Sequence, residues 1–262
     1  ALLMRPVTLC FSGLDPSGGA GLQADIETIA ALGGHAAVIA TALTVQDSQR
    51  VYDFRLTEPA LMSAQAERVL ADLPVSCVKL GMLGSAAAVT TVLSSLTEYR
   101  HVPVVMDPVL SANSGGTLAQ SDLRAALLTA LPQVRVITPN SIELRLLAGY
   151  DDLAQAVAIL TKAGAGAIWL KGGHEPGTTL INTLYIKGEP VMRSELTRLP
   201  GEFHGSGCTL AAALAAGLAA GLSLQDAVAQ SQDFVSQALA SADRPRNHGQ
   251  WLPRRMVAPW RA

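Results

Sequence analysis

Aromatic side chains make up only 4% of the 262 residues and charged ones 15%, whereas 49% are hydrophobic. A chain with this much apolar side chain and so little charge does not stay disordered. Nineteen basic residues face 21 acidic ones, a net charge of -2, so no basic field marks a nucleic-acid binder. Cysteine is scarce. Cys10, Cys77 and Cys208 are odd in number and far apart, which argues against a disulfide framework or a zinc cluster and points to a reducing, cytoplasmic setting. Long apolar runs are lacking too. The longest uncharged stretch, residues 207–224, is marginal in length for a membrane span and is mostly Ala and Gly, which gain little from lipid. It reads as a buried helix. No secretory signal is read at the start, where Ala1-Leu2-Leu3 precede Met4 and Arg5-Pro6 interrupts.

What the chain does have is an alternation of two patterns. Short apolar runs at residues 7–12, 35–45, 76–80, 104–106, 134–137 and 167–170 are bounded by Gly, Pro or charge. They read as strands of a parallel sheet covered on both faces. Between them, residues 22–32, 59–71, 86–96, 121–131 and 153–163 carry helical spacing, with Leu22, Ile26, Ile29 and Gly33 forming one apolar stripe. The alternation predicts a doubly wound α/β fold with right-handed crossovers. Two segments depart from it: residues 51–56 read as a strand-like addition, and 180–186 with 191–196 as an antiparallel hairpin around Lys187-Gly188-Glu189-Pro190. Beyond Gly201 two Ala-rich helices are expected, at 206–220 and 224–242. With no repeat and no linker, residues 1–262 read as one domain. The tail from Asp243, with five arginines, Trp251 and Trp260, is expected to wrap back on it.

Ligands of an open α/β sheet bind beyond the carboxyl ends of its strands. The first such loop is Gly13-Leu14-Asp15-Pro16-Ser17-Gly18-Gly19-Ala20-Gly21. It lacks the Lys and Ser or Thr of a Walker A loop. It fits the dinucleotide fingerprint only out of place, because Gly19-x-Gly21-x-x-Ala24 follows a Leu-Asp-Pro-Ser insert. A nicotinamide-dependent oxidoreductase is the alternative from another class that this pattern supports. The later loops offer Asp107-Pro108, Thr138-Pro139-Asn140-Ser141-Ile142-Glu143 and Lys171-Gly172-Gly173-His174. Carboxylates and an amide oxygen suit Mg²⁺ carried largely by water and phosphate, and a lysine suits phosphate. Asp107 also suits a turn, and Asn140 the N-cap of a helix holding Glu143.

The sharpest pattern is Gly205-Ser206-Gly207-Cys208-Thr209 at the mouth of the first Ala-rich helix. Backbone N–H groups there can point at an anion, favoured by the helix dipole. A cysteine in that turn is expected to have its thiolate stabilised and to act as a base near neutral pH. The alternative is a small buried apolar residue.

Together these residues resemble the ribokinase-like superfamily and, within it, the hydroxymethylpyrimidine/phosphomethylpyrimidine kinase family. The motifs are Gly13-Leu14-Asp15-Pro16-Ser17-Gly18-Gly19-Ala20-Gly21-Leu22-Gln23-Ala24-Asp25, Thr41-Ala42-Leu43-Thr44-Val45-Gln46, Lys79-Leu80-Gly81-Met82-Leu83, Asp107-Pro108-Val109, Thr138-Pro139-Asn140-x-x-Glu143, Lys171-Gly172-Gly173-His174 and Gly205-x-Gly207-Cys208-Thr209. They run in the family's order across nearly the whole chain.

The resemblance implies a three-layer α/β/α fold with a mainly parallel central sheet and a small β addition. It implies ATP and Mg²⁺ as cofactors. The reaction implied is phosphorylation of 4-amino-5-hydroxymethyl-2-methylpyrimidine and of its monophosphate, in thiamine biosynthesis, with pyridoxal or pyridoxine as the alternative substrate. By position, Gly13, Asp25, Gln46, Met82 and Val109 would surround the pyrimidine. Asp107, Asn140 and Glu143 would organise the metal, and Asn140, Lys171 and Thr209 the nucleotide. Backbone amides of Gly205, Ser206, Gly207 and Cys208 would form an anion hole, with Lys171 on the phosphates and Cys208 taking the acceptor's proton. A homodimer through residues 51–56 is a further expectation.

Three departures from the family pattern stand out. Glu202-Phe203 precede His204, and Ser206 replaces threonine. Asp47-Ser48-Gln49-Arg50 stands where the family reads Asn-Thr-x-Gly, which is expected to stiffen a flap over the substrate. Asn182 stands where an aspartate often opens the hairpin strand.

Overall fold

The apolar runs pair side by side into one sheet. The computed structural model describes residues 4–110 and 117–256, so Ala1, Leu2, Leu3 and Trp260 lie outside the described residues. The strands are β1 (Val7–Leu14), β2 (His35–Gln46), β3 (Val51–Leu56), β4 (Val75–Leu80), β5 (Val104–Met106), β6 (Val136–Ile137), β7 (Ala167–Leu170), β8 (Thr179–Ile186) and β9 (Glu189–Thr197), in the order β3-β2-β1-β4-β5-β6-β7-β8-β9. From β2 to β7 every pairing is parallel, while β3 and the β8–β9 hairpin add antiparallel at the two edges.

Strands β5, β6 and β7 carry apolar residues at every position because both faces are covered. Val104, Met106, Ile168 and Leu170 enter one core, packed by α2 (Pro59–Asp72), α3 (Ala86–Ser95), α4 (Thr117–Ala130), α5 (Ser141–Ala148) and α6 (Leu153–Lys162). Val105, Ala167 and Trp169 enter the other, packed by α7 (Ser206–Ala219) and α8 (Leu224–Ala240). The helix α1 (Gly21–Ala31) joins α7 there, with Ile29 against Ala212, Ala216 and Cys10. The result is three layers, α/β/α.

Three boundaries differ from expectation. The strand at 134–137 shrinks to two residues because Leu131–Gln133 forms a 3₁₀ turn that Val134 closes by donating to the Leu131 carbonyl. The helix expected from 121 begins at Thr117. The hairpin turn is the pair Lys187 and Gly188, both with positive φ (52° and 83°), the geometry that matches strand twist. The following strand therefore starts at Glu189 and accommodates Pro190 on an open edge.

The Ala-rich run forms α7, buried without a break from Thr209 to Gly217. Its small side chains allow close approach: a Cβ on Gly217 would lie 2.9 Å from that of Ala227 in α8. Burial on all sides explains its uniform apolarity. No helix among the described residues is long and apolar enough to cross a membrane. The described part of the tail returns to the sheet's end, where Trp251 meets Phe203 edge-on (5.6 Å between centroids) and lies beneath the Arg244 guanidinium.

Candidate active site

The parallel strands all end at one rim, and α7 points its N-terminus at it. Gly205 precedes the helix with φ 76°, and a Cβ there would lie 2.0 Å from the Gly19 carbonyl oxygen, so only glycine lets the two loops touch. No side chain caps α7, which leaves its first-turn N–H groups free of a side-chain acceptor. A Cβ on Gly207 would stand 3.2 Å from Lys171 Nζ and 3.7 Å from Asp107 Oδ2. The helix mouth, Lys171 and Asp107 therefore converge.

Lys171 Nζ donates to Asp107 Oδ1 at 3.0 Å, and Thr138 Oγ1 donates to the same oxygen at 3.0 Å. Burial works against the Lys171 charge, but Asp107 and Glu143 outweigh it and raise the ammonium's pKa. Asn140 and Glu143 form a capping box: Glu143 N donates to Asn140 Oδ1 and Asn140 N to Glu143 Oε2, each at 2.8 Å. The amide oxygen expected on the metal is thus committed to the helix N-terminus, and Asn140 serves by holding Glu143. Glu143 is pushed up to about 7 by burial and by Asp107, against the pull of Lys171 and the Asn140 N–H. Two hard carboxylates beside one another, with Glu143 harder to ionise next to Asp107, suit a divalent cation, so Asp107 and Glu143 fit Mg²⁺.

Cys208 sits half-buried in the same turn. Its thiol is pushed up by burial and by Asp107 and Asp25, while Lys79 and the Gly21 N–H pull it down. The expected stabilised thiolate is therefore corrected: the carboxylates and burial win over the helix field, and the thiol keeps its proton at neutral pH.

Asp25 is also displaced from its expected place against the pyrimidine. It is fully buried, with Lys79 Nζ at 2.8 Å from Oδ1 and Ser12 Oγ donating to Oδ2 at 2.7 Å. Gly81 makes room for this trio, since a Cβ there would lie 2.3 Å from Ser12 Oγ and 2.7 Å from Lys79 Nζ. Lys79 has no role in the sequence reading, although a lysine inside an apolar strand requires a buried acid nearby.

Gly13 and Met82 do come together, a Cβ on Gly13 falling 2.7 Å from Met82 Cε. Gln46 closes β2, and Val109 stands half-buried just past Asp107 on the same rim. Asp15 accepts from Ser17 N (2.8 Å), Ser17 Oγ (2.7 Å) and Ala20 N (2.9 Å), and His204 Nε2 donates to it at 2.7 Å. Burial opposes its charge, but these bonds hold the carboxyl down at about 2.

Thr209 is corrected as a nucleotide contact: its buried hydroxyl donates to Gly205 O at 2.8 Å and accepts from Arg255 Nε at 2.8 Å. Two of the departures also find partners. Asp47 Oδ1 accepts from the Gln49 and Arg50 amides and so fixes the flap as a tight turn. Asn182 accepts from Gly172 N at 3.0 Å and donates to Gln232 at 3.3 Å, which anchors the loop beside Lys171. The nicotinamide reading fails on geometry as well as on spacing. A Cβ on Gly19 would lie 2.1 Å from His204 and 2.9 Å from Leu252, so that glycine faces protein rather than a pyrophosphate.

An open parallel sheet with a glycine-rich helix mouth, a lysine and paired carboxylates at its rim defines a ribokinase-like kinase. More narrowly, the chain belongs to the phosphomethylpyrimidine kinase family, whose model matches residues 15–251. It is 36% identical to the hydroxymethylpyrimidine/phosphomethylpyrimidine kinase of Rhizobium meliloti, over 92% of this chain and 93% of that protein. Among solved structures, the phosphomethylpyrimidine kinase of Clostridium difficile matches with a TM-score of 0.75 at 29% identity, covering 90% of this chain and all of that one. A pyridoxal kinase from Staphylococcus aureus, in complex with AMP-PCP and pyridoxal, matches with a TM-score of 0.84 at 27% identity, covering 97% and 94%.

Proposed function

We propose that this kinase transfers the γ-phosphoryl group of ATP to 4-amino-5-hydroxymethyl-2-methylpyrimidine and then to its monophosphate, in the cytoplasm, as a single domain. The observation that carries the reading is the meeting of α7's first turn with Lys171 and Asp107. Phosphoryl transfer needs positioning and charge neutralisation more than covalent chemistry. The amides of residues 205–208 receive the negative charge that develops on the transferred oxygens, and Lys171 holds the phosphates as a fixed positive charge. Gln46 offers an amide donor and acceptor to the aminopyrimidine edge, beside Gly13, Met82 and Val109. Cys208, whose thiol keeps its proton, stands in the first turn of α7 as a weak donor toward the transferred oxygens, and the acceptor's proton leaves on the transferred phosphoryl group or to water. Mg²⁺, held at Asp107 and Glu143, would supply charge neutralisation on the phosphates.

Leu43, Val45, Tyr52 and Leu56, all more than two-fifths exposed on β2 and β3, support a homodimer through that edge. Sedimentation of the wild type against Val45→Glu tests it. Substrate is tested by ADP formation with the alcohol, its monophosphate and pyridoxal, each with Mg·ATP. Turnover of pyridoxal but neither pyrimidine would overturn the assignment.

A further inference from the structure

Arg255 lies four residues beyond the last one matched by the family model, is only 2% exposed, and has no part in the phosphoryl transfer described above. Its guanidinium reaches three separate segments. Nε donates to Thr209 Oγ1 at 2.8 Å. Nη1 donates to Gly18 O and to Glu27 Oε2, each at 3.2 Å, and Nη2 donates to Gly19 O. Thr209 passes the link on, its Oγ1 and its backbone N both donating to Gly205 O. One planar fork thus ties the β1–α1 loop to the residue that opens the anion hole, at the seam where Gly205 and Gly19 touch.

The tail that delivers this fork is stitched to the same region. His204 N donates to Trp251 O at 2.9 Å and Trp251 N to Glu202 O at 2.7 Å, pinning the approach to Gly205. Gln250 N donates to Ser48 O and Gln49 Nε2 to Asn247 O, each at 2.9 Å, pinning the flap. Three of the four groups that Arg255 binds are neutral oxygens, and Glu27 is the only carboxylate. Burying a guanidinium this way is costly, and an apolar side chain of similar volume would fill the space at less expense. What only arginine supplies is a fixed set of diverging donors.

Resting on the kinase reading above, we propose that Arg255 is a positioning residue for phosphoryl transfer: through Thr209 and the Gly18 and Gly19 carbonyls it holds the 205–208 turn in register with the substrate loop. The tail from Asp243 is then part of the working site.

The test compares Arg255→Lys and Arg255→Met with Arg193→Met, an exposed residue of β9, as control. Displacing an anion hole by about an ångström costs on the order of 100-fold in rate. Both Arg255 variants should therefore lose about 10- to 100-fold in kcat, with KM for Mg·ATP and for the pyrimidine within about threefold. Thr209→Val added to Arg255→Met should cost no more, because both act on one hydroxyl. Independently of activity, deuterium exchange at amides 18–21 and 205–209 should quicken by about tenfold in Arg255→Met, with α3 unchanged. Unchanged exchange at those amides, or a lowered melting temperature with wild-type kcat, would overturn the positioning role. A wild type inactive on both pyrimidines would count against the substrate reading, while the exchange experiment still decides on Arg255.

Discussion

Three residues at the centre of the site, Cys208 and the pair Lys79 and Asp25, have environments that work against their ionised or unpaired forms. Cys208 keeps its proton because burial and two carboxylates outweigh Lys79. In the proposed role of a thiol donor to the transferred oxygens, it would contribute one ordinary hydrogen bond, about 0.5–1.5 kcal/mol. Cys208→Ala should therefore lower kcat by about 2- to 10-fold while calorimetric affinities for ATP and pyrimidine change little; unchanged kcat would remove it from the transfer step. Below it, Lys79 and Asp25 form an ion pair with neither side chain exposed. Lys79→Met leaves that carboxylate buried with only Ser12, which costs about 3–5 kcal/mol in urea unfolding. Adding Asp25→Leu should restore most of it. A single-variant loss below about 1 kcal/mol would show that water reaches the pair.

The difference in legibility at this scale is one of distance along the chain. The Asn140–Glu143 capping box is read from residues three apart. His204 and Asp15 are 189 residues apart, and Arg255 is 237 from Gly18, so nothing local selects them. Lys79 was the exception: its charge within an apolar strand was a visible signal.

At the scale of elements, the strands and helices announce themselves because each is bounded by a turn former and buried in a simple period. What fails is the end of an element set by tertiary packing, as where the turn at Leu131–Gln133 shortens β6. The helix mouth is where an element's geometry becomes chemistry. Gly205→Ala imposes a left-handed conformation worth about 1 kcal/mol on a side chain and drives its Cβ into the Gly19 carbonyl. It should lower the melting temperature and cut turnover by about 100-fold. Gly166→Ala, where a Cβ meets nothing within 4 Å, should leave both near wild type. Equal behaviour of the two variants would show that the loops separate at little cost.

For the whole molecule, Asp15 joins the beginning of the chain to its last third, and its ionised state adds to stability toward acid. Its folded pKa, about 2, lies below the ordinary 3.8, so the ionised form favours folding. The contribution, about 2 kcal/mol, is complete above pH about 4 and is lost as pH falls from there toward 2. Unfolding free energies at pH 7, 4 and 3 should show this decline, and Asp15→Asn should flatten it; the same slope in the variant would place the acid-sensitive group elsewhere.

The position of α7 in the chain bears on how the molecule is made. This helix covers Cys77, Val105, Val136, Ala167 and Trp169, yet it follows all nine strands of the described residues in sequence. A growing polypeptide therefore completes its sheet before the helix that shields one face has left the ribosome. Until then a broad apolar surface stays open to water, the condition under which nascent chains aggregate or recruit chaperones. The glycine-rich mouth of this late helix emerges with it, and Arg255, which ties that mouth to the β1–α1 loop, emerges later still.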